Sequence, residues 1–154
     1  DVLKRVDVAK DKIQDDWKKS NGVLYSVDAK VSRIQLPVVF PEQYDLLIDC
    51  KPISGVASMV IRLATPAGEG FLVTLNGYEP NYNSSGLDLI NRKSVKKNIT
   101  GYETKLFQNG SRSRVIVSVR RKIITVSVDD KIIVKYAGPQ NVFSDDRTTS
   151  PSGK

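Results

Sequence analysis

The acidic residues set the first bound on what chemistry this chain could perform. Glycoside hydrolysis needs two carboxyl groups about 5–5.5 Å or about 6.5–9.5 Å apart. On one strand, residues i and i+2 lie about 6.6 Å apart, so an acid-x-acid pattern would supply the pair. No strand-like segment carries it. Asp45 and Asp49 share a face of one extended segment but sit about 13 Å apart along it. A cross-strand pair drawn from Glu69, Glu79 and Asp88 stays open. Histidine is absent and cysteine occurs once, at Cys50. Ser-His-Asp and Cys-His nucleophiles are therefore excluded, as are zinc and copper sites built from His or several Cys. Cys50 falls on the apolar face of its segment and reads as a buried, inert thiol. Asp129-Asp130 and Asp145-Asp146 lack calcium-loop spacing and read as turns. No catalytic residue, metal site or cofactor is assigned.

The segment richest in binding chemistry is Gly77-Tyr78-Glu79-Pro80-Asn81-Tyr82-Asn83-Ser84-Ser85-Gly86. Saccharides are held by aromatic faces against their C–H patches and by amides and carboxylates against their hydroxyls. Tyr78, Asn81 and Tyr82, followed by Asp88 and Asn91, offer both. With Arg62 and Asn76 from nearby strands they form the candidate ligand-binding set. The alternative is that the two tyrosines merely pin a long connection. Trp17, the single tryptophan, stands before a tight turn and reads as a packing residue. Asn-x-Ser/Thr sequons at Asn83, Asn98 and Asn109 matter only in a glycosylating secretory pathway.

The net charge of +7 is unevenly spread. Residues 92–122 hold ten Lys or Arg against one acid, Glu103, so this segment carries +9 and the remainder −2. Arg92, Lys93, Lys96, Lys97, Arg114 and Arg120 are the candidate basic patch. It could meet an acidic polysaccharide or a protein, or simply solubilise a sheet edge. Nucleic acid fits least, because Tyr102 and Phe107 are the only aromatics interleaved there.

These residues must be positioned by strands. Tyr44, Leu46, Ile48 and Cys50 alternate with Asp45, Leu47 and Asp49. Met59, Ile61 and Leu63 alternate with Ser58, Val60 and Arg62. Phe71, Val73 and Leu75 alternate with Leu72, Thr74 and Asn76. This period of two predicts sheets with one dry face. Residues 114–136 predict a three-stranded antiparallel meander with two-residue connections, the second at Asp129-Asp130. Asn21-Gly22, 52–55, 66–68, Asn109-Gly110 and Gly138-Pro139 read as turns. Residues 9–19 allow a helical turn or two, polar all round apart from Ile13 and Trp17. The length of 154 residues suits one domain, placed at 1–143, with 144–154 as a polar tail or linker. No apolar run reaches the ~18 residues of a membrane helix. The sequence begins at Asp1 rather than Met, as a processed or excised chain would.

Several pieces in order carry a resemblance. They are Trp17 with Asn21-Gly22-Val23-Leu24-Tyr25-Ser26, Ile34-Gln35-Leu36-Pro37, and Pro41-Glu42-Gln43-Tyr44-Asp45-Leu46. Gly86-Leu87-Asp88-Leu89-Ile90 follows, then Asn98-Ile99-Thr100, and Asn109-Gly110 leading into 115–131. Over roughly residues 2–137 the chain resembles the bacterial concanavalin A-like lectin/glucanase sandwiches, near the 3-keto-disaccharide hydrolase and laminin-G-like domains. The resemblance implies an all-β jelly-roll of two curved antiparallel sheets, with carbohydrate on the concave one. It also implies a secreted, periplasmic or cell-surface location. The Asn-Ser-Gly-Ile-type strand of the hydrolase members and the Glu-x-Asp-x-x-Glu signature of the glucanases are both missing. Such domains continue past the equivalent of Tyr136 with two more strands, so here a partner chain or further segment would complete the sheet. The function expected is non-catalytic binding, of carbohydrate first. An assembly subunit completed by a partner is the alternative, and a 3-keto-disaccharide-type glycoside hydrolase comes after it.

Overall fold

Wherever apolar and polar residues alternate, the backbone is extended, and four antiparallel sheets of two to four strands result, with almost no helix. The computed structural model describes residues 1–27, 31–78 and 80–144. Glu79, Asp145-Asp146 and all but the first residue of the expected tail lie outside that set. The chain divides into two compact units, whose described parts are residues 1–39 and 40–144. Among the described residues no helix is long and apolar enough to cross a membrane.

The first unit holds four short strands: β1 (Lys12–Gln14), β2 (Trp17–Ser20), β3 (Val23–Ser26) and β4 (Arg33–Ile34). β1 pairs with β4, and β2 with β3. Asn21 and Gly22 both take left-handed φ, 50° and 74°, the backbone that a two-residue hairpin needs to match strand twist. Helix within 9–19 amounts to part of one turn, Val8–Asp11, capped by the Asp7 side chain. With no apolar stripe to bury, nothing extends it. Trp17 instead opens β2, and its indole N–H donates to the Arg33 carbonyl at 3.0 Å.

The second unit contains β5 (Tyr44–Cys50), β6 (Met59–Ala64), β7 (Gly70–Gly77), β8 (Ser84–Asp88), β9 (Tyr102–Glu103), β10 (Ser113–Val119), β11 (Ile124–Val128) and β12 (Lys131–Tyr136). One sheet has the order β12-β11-β10-β5 and the other β6-β7-β8-β9. In the first, Val115, Val117 and Val119 face Ile48, Leu46 and Tyr44 on one side and Val128, Val126 and Ile124 on the other. Phe71, Val73, Leu75 and Leu87 of the second sheet join the same apolar cluster. Each such fully buried side chain contributes about 1.5–3 kcal/mol. The expected meander is present. Asp129 and Asp130 turn it with φ of 49° and 65°, and the Arg120 N–H donates to Ile123 O across Arg121-Lys122 at 3.0 Å.

Two features depart from simple alternation. β7 is buried on both faces: Leu72, Thr74 and Asn76 are as enclosed as Phe71, Val73 and Leu75. Beyond β12 the described chain adds no strand. Tyr136 Oη donates to Pro139 O at 2.9 Å. Phe143 then enters the cluster, with ring centroids 5.3 Å from Phe71 and 5.5 Å from Tyr136. Flanking Phe143, Asn91 N–H donates to Val142 O and Ser144 N–H donates to Leu89 O, at 2.8 and 3.1 Å. Ser144, the first residue of the expected tail, is thus tied to the end of β8.

Candidate functional site

Polar side chains on the second face of β7 can be buried only if their hydrogen bonds are met. Asp88, at the end of β8, meets that of Thr74. One of its carboxylate oxygens accepts from the Tyr78 hydroxyl and from Thr74 Oγ1, the latter at 3.2 Å. The other accepts from Leu89 N–H at 3.0 Å and Val95 N–H at 2.8 Å. A carboxylate offers about four lone-pair sites, and four donors meet Asp88 here. Asn76 is a second knot. Its N–H donates to Ser85 Oγ at 3.0 Å and its side-chain oxygen accepts from Leu106 N–H at 2.8 Å. It sits at φ 50° where the β7–β8 register shifts.

Beside Asp88 lies a shallow hollow of about 230 Å³, with Ser58, Val60, Leu72, Thr74, Tyr78, Asp88 and Leu89 in its lining. Tyr78 remains 36% exposed. Of the ligand-binding set expected from sequence, the fold brings Tyr78 and Asp88 together here. Arg62 stands in register with Leu72, which is in register with Asp88, so the three form one row across β6, β7 and β8. Asn76 is buried with its side chain committed to Leu106. Asn81 is exposed in the loop, and Tyr82 N–H closes a turn onto Tyr78 O at 3.0 Å. Asn91 lines a different cleft. Sequence reading passed over Ser58, Leu72, Thr74 and Leu89, because nothing local marks a residue whose partner is one strand away.

Ten non-glycine residues among those described have positive φ, and six of them fall between Asn76 and Arg92. Backbone strain of this kind costs about 1–3 kcal/mol per residue and clusters where a fold holds side chains for a purpose. Gly86 shows how closely this region is packed. At φ 151°, an added Cβ would lie 2.6 Å from both Thr100 O and a Val95 methyl.

The basic stretch divides in two. On the outward face of the β5–β10 pair, Arg114 grips Asp49 with bonds of 2.7 and 3.0 Å. Arg120 holds both oxygens of Asp45 at 2.8 and 3.0 Å and also donates to Tyr44 O. Arg121 grips Glu42 at 2.9 and 2.8 Å. The Ser118 hydroxyl and Arg120 hold Asp45 below its ordinary carboxylate value; Arg114 does so for Asp49 and Arg121 for Glu42. Arg92, Lys93, Lys96 and Lys97 lie elsewhere, on the loop that follows β8. Lys93 and Lys97 border a cleft of about 590 Å³ that is closed on its other side by the end of β12 and residues 137–142. Cys50 is half-buried, and burial pushes its thiol up, as expected of an unreactive sulfur.

Comparisons with protein-family models, with curated proteins and with solved structures each found no match to this chain.

Proposed function

We propose that residues 40–144 form a concanavalin A-like jelly-roll that binds carbohydrate without catalysing a reaction. Support for the jelly-roll comes from two four-stranded sheets sharing one apolar cluster, with the chain passing between them at β5–β6 and β9–β10. The observation that carries the binding reading is Tyr78 at the hollow. Its ring is part-exposed, and its hydroxyl is fixed on Asp88, which is itself fixed from three further directions. A sugar ring would lay a C–H face on such an aromatic and direct a hydroxyl to Ser58. Small aliphatic walls at Val60, Leu72 and Leu89 leave room for it. The test is isothermal titration calorimetry with a panel of neutral mono- and oligosaccharides. At least one should bind, with Tyr78→Ala weakening it about tenfold or more and Tyr78→Phe retaining most of the affinity. Failure of the whole panel, or undiminished binding by Tyr78→Ala, refutes the reading.

A second reading, an assembly module, rests on the outward face of the other sheet. Leu47, Ile116, Ser127 and Ile132 are in register across β5, β10, β11 and β12. Leu47 is 52% and Ile132 61% exposed. Sedimentation of the protein as a monomer at every accessible concentration, with no partner retained, counts against this reading.

A further inference from the structure

We propose that the cleft between the 90–101 segment and the end of β12 is a separate binding site, and that its ligand is an anionic saccharide bearing carboxylate or sulfate groups. Lys93 and Lys97 approach the cleft from one wall and Lys135 from the other. Among the described residues no Asp or Glu lines it. Among the described residues none of these three lysines has a carboxylate partner, whereas Arg114, Arg120 and Arg121 each have one. Exposed lysines on both walls of one concavity give it a positive potential that a bound anion would neutralise. Lysine suits the task, because its ammonium is a compact point charge that accepts carboxylate or sulfate without demanding a forked geometry.

The wall carrying Lys93 and Lys97 is rigid. Asn91 and Arg92 turn with φ of 51° and 61°, and the Lys93 N–H closes onto Ile90 O at 2.9 Å. The Asn98 amide donates to Leu87 O at 2.9 Å and to Lys93 O at 3.2 Å, while its oxygen accepts from Thr100 Oγ1 at 2.7 Å. The loop backbone is therefore ordered before a ligand arrives, and only the lysine side chains lose freedom on binding.

Size and lining select the ligand. The volume of about 590 Å³ falls in the small-ligand range of roughly 300–1,000 Å³. A protein partner instead needs about 800 Å² of surface on each side. Among the described residues Tyr136 is the one aromatic in the lining; it is 5% exposed and its hydroxyl is already committed to Pro139. A nucleic-acid strand would therefore find no face on which to stack a base. The uncharged lining mixes aliphatic residues, with Ile99 87% exposed and Ala137 and Pro139 beyond β12, and polar ones, Asn91, Asn98 and Thr100. This pairs C–H surfaces with charges, the combination that an acidic sugar presents.

This site shares no residue with the hollow at Tyr78, so either can fail while the other stands. The test is calorimetry of the intact protein with oligogalacturonate and a heparin-derived oligosaccharide. Neutral maltohexaose, oligothymidylate and a polyglutamate peptide are the comparators, at low and high salt. One or both acidic saccharides should bind, more weakly at high salt. The combined Lys93→Gln, Lys97→Gln, Lys135→Gln variant should lose about tenfold or more in affinity. The combined Arg114→Gln, Arg120→Gln, Arg121→Gln variant should stay within about twofold, as salt-screened charges on a separate face would. The proposal is overturned by failure of both acidic saccharides, by equally tight binding of maltohexaose that the lysine substitutions weaken, by tighter binding of oligothymidylate or polyglutamate, or by indifference to the lysine substitutions.

Discussion

The Tyr78 hydroxyl, on the residue that follows β7, reaches back to the Asp88 carboxylate at the far end of the antiparallel β8. That bond joins a part-exposed ring to an acid that also satisfies two backbone N–H groups and a threonine. The first prediction follows. Asp88→Ala strands the N–H groups of Leu89 and Val95 and should destabilise the unit by about 3–4 kcal/mol, at about 1–3 kcal/mol per unmet buried group. Tyr78→Phe removes one of four bonds and should cost only about 1 kcal/mol. Urea denaturation checks both, followed by near-ultraviolet circular dichroism of the tyrosines, since Trp17 belongs to the other unit. Equal costs for the two substitutions would show that Asp88 is not the hub.

Asn76 supports a second prediction, because its backbone angle and its side-chain oxygen contribute separately. Asn76→Gly keeps the left-handed φ easy but removes the acceptor for Leu106 N–H. Asn76→Ala removes the acceptor and adds a left-handed penalty of about 1–2 kcal/mol. Alanine should therefore be the worse replacement by roughly that amount, although glycine is usually the less stable residue in a strand. The same denaturation series decides it, and a glycine variant as unstable as the alanine one would refute the reading.

The arginine–carboxylate pairs predict a pH effect. Asp45, Asp49 and Glu42 have folded-state pKa values below their ordinary 3.8, 3.8 and 4.5. A depressed folded value stabilises the protein above the unfolded pKa, and the benefit is lost as pH falls through the folded one. Their contribution should be level from pH 8 to about 5 and decline below about pH 4. All three are exposed, so the effect is small and should shrink in salt. The combined Arg114→Gln, Arg120→Gln, Arg121→Gln variant should flatten this acid limb in a plot of urea midpoint against pH. An unchanged limb would assign the acid sensitivity to other groups.

How much of this was legible in the sequence depended on how far apart the partners lie. The dry faces of β5, β6 and β7 could be read from alternation alone, and the hairpins from Asn21-Gly22 and Asp129-Asp130. The second buried face of β7 could not. Leu72, Thr74 and Asn76 look like a wet face until Asp88 and Ser85 of β8 and Leu106 of the β9–β10 connection arrive to cover and satisfy them. The basic stretch looked continuous because the acids that neutralise part of it, Glu42, Asp45 and Asp49, stand 65 to 79 residues earlier. Lys135 fell outside the stretch yet closes its cleft. The turn at Val8–Asp11 is all that 9–19 could sustain without an apolar stripe.

Phe143 yields the last prediction. It packs between Phe71 and Tyr136 and is 8% exposed. Phe143→Ala should leave a cavity and cost about 3–5 kcal/mol. Phe143→Leu, which keeps most of the volume, should cost clearly less. A loss below about 1 kcal/mol for the alanine variant would show that the segment after β12 contributes little to the core.

The pairing of β5 with β10 has a consequence for how the molecule is made. β5 is synthesised early, yet its one hydrogen-bonded neighbour is not complete until Val119 has been added. During that interval a nascent chain carries an extended strand with Tyr44, Leu46 and Ile48 along one side and no ladder to join. β10, β11 and β12, by contrast, are contiguous and can zip together by local contacts. Synthesis therefore passes through a stage in which β5 is open to mispairing with neighbouring chains, and it ends when β10 emerges.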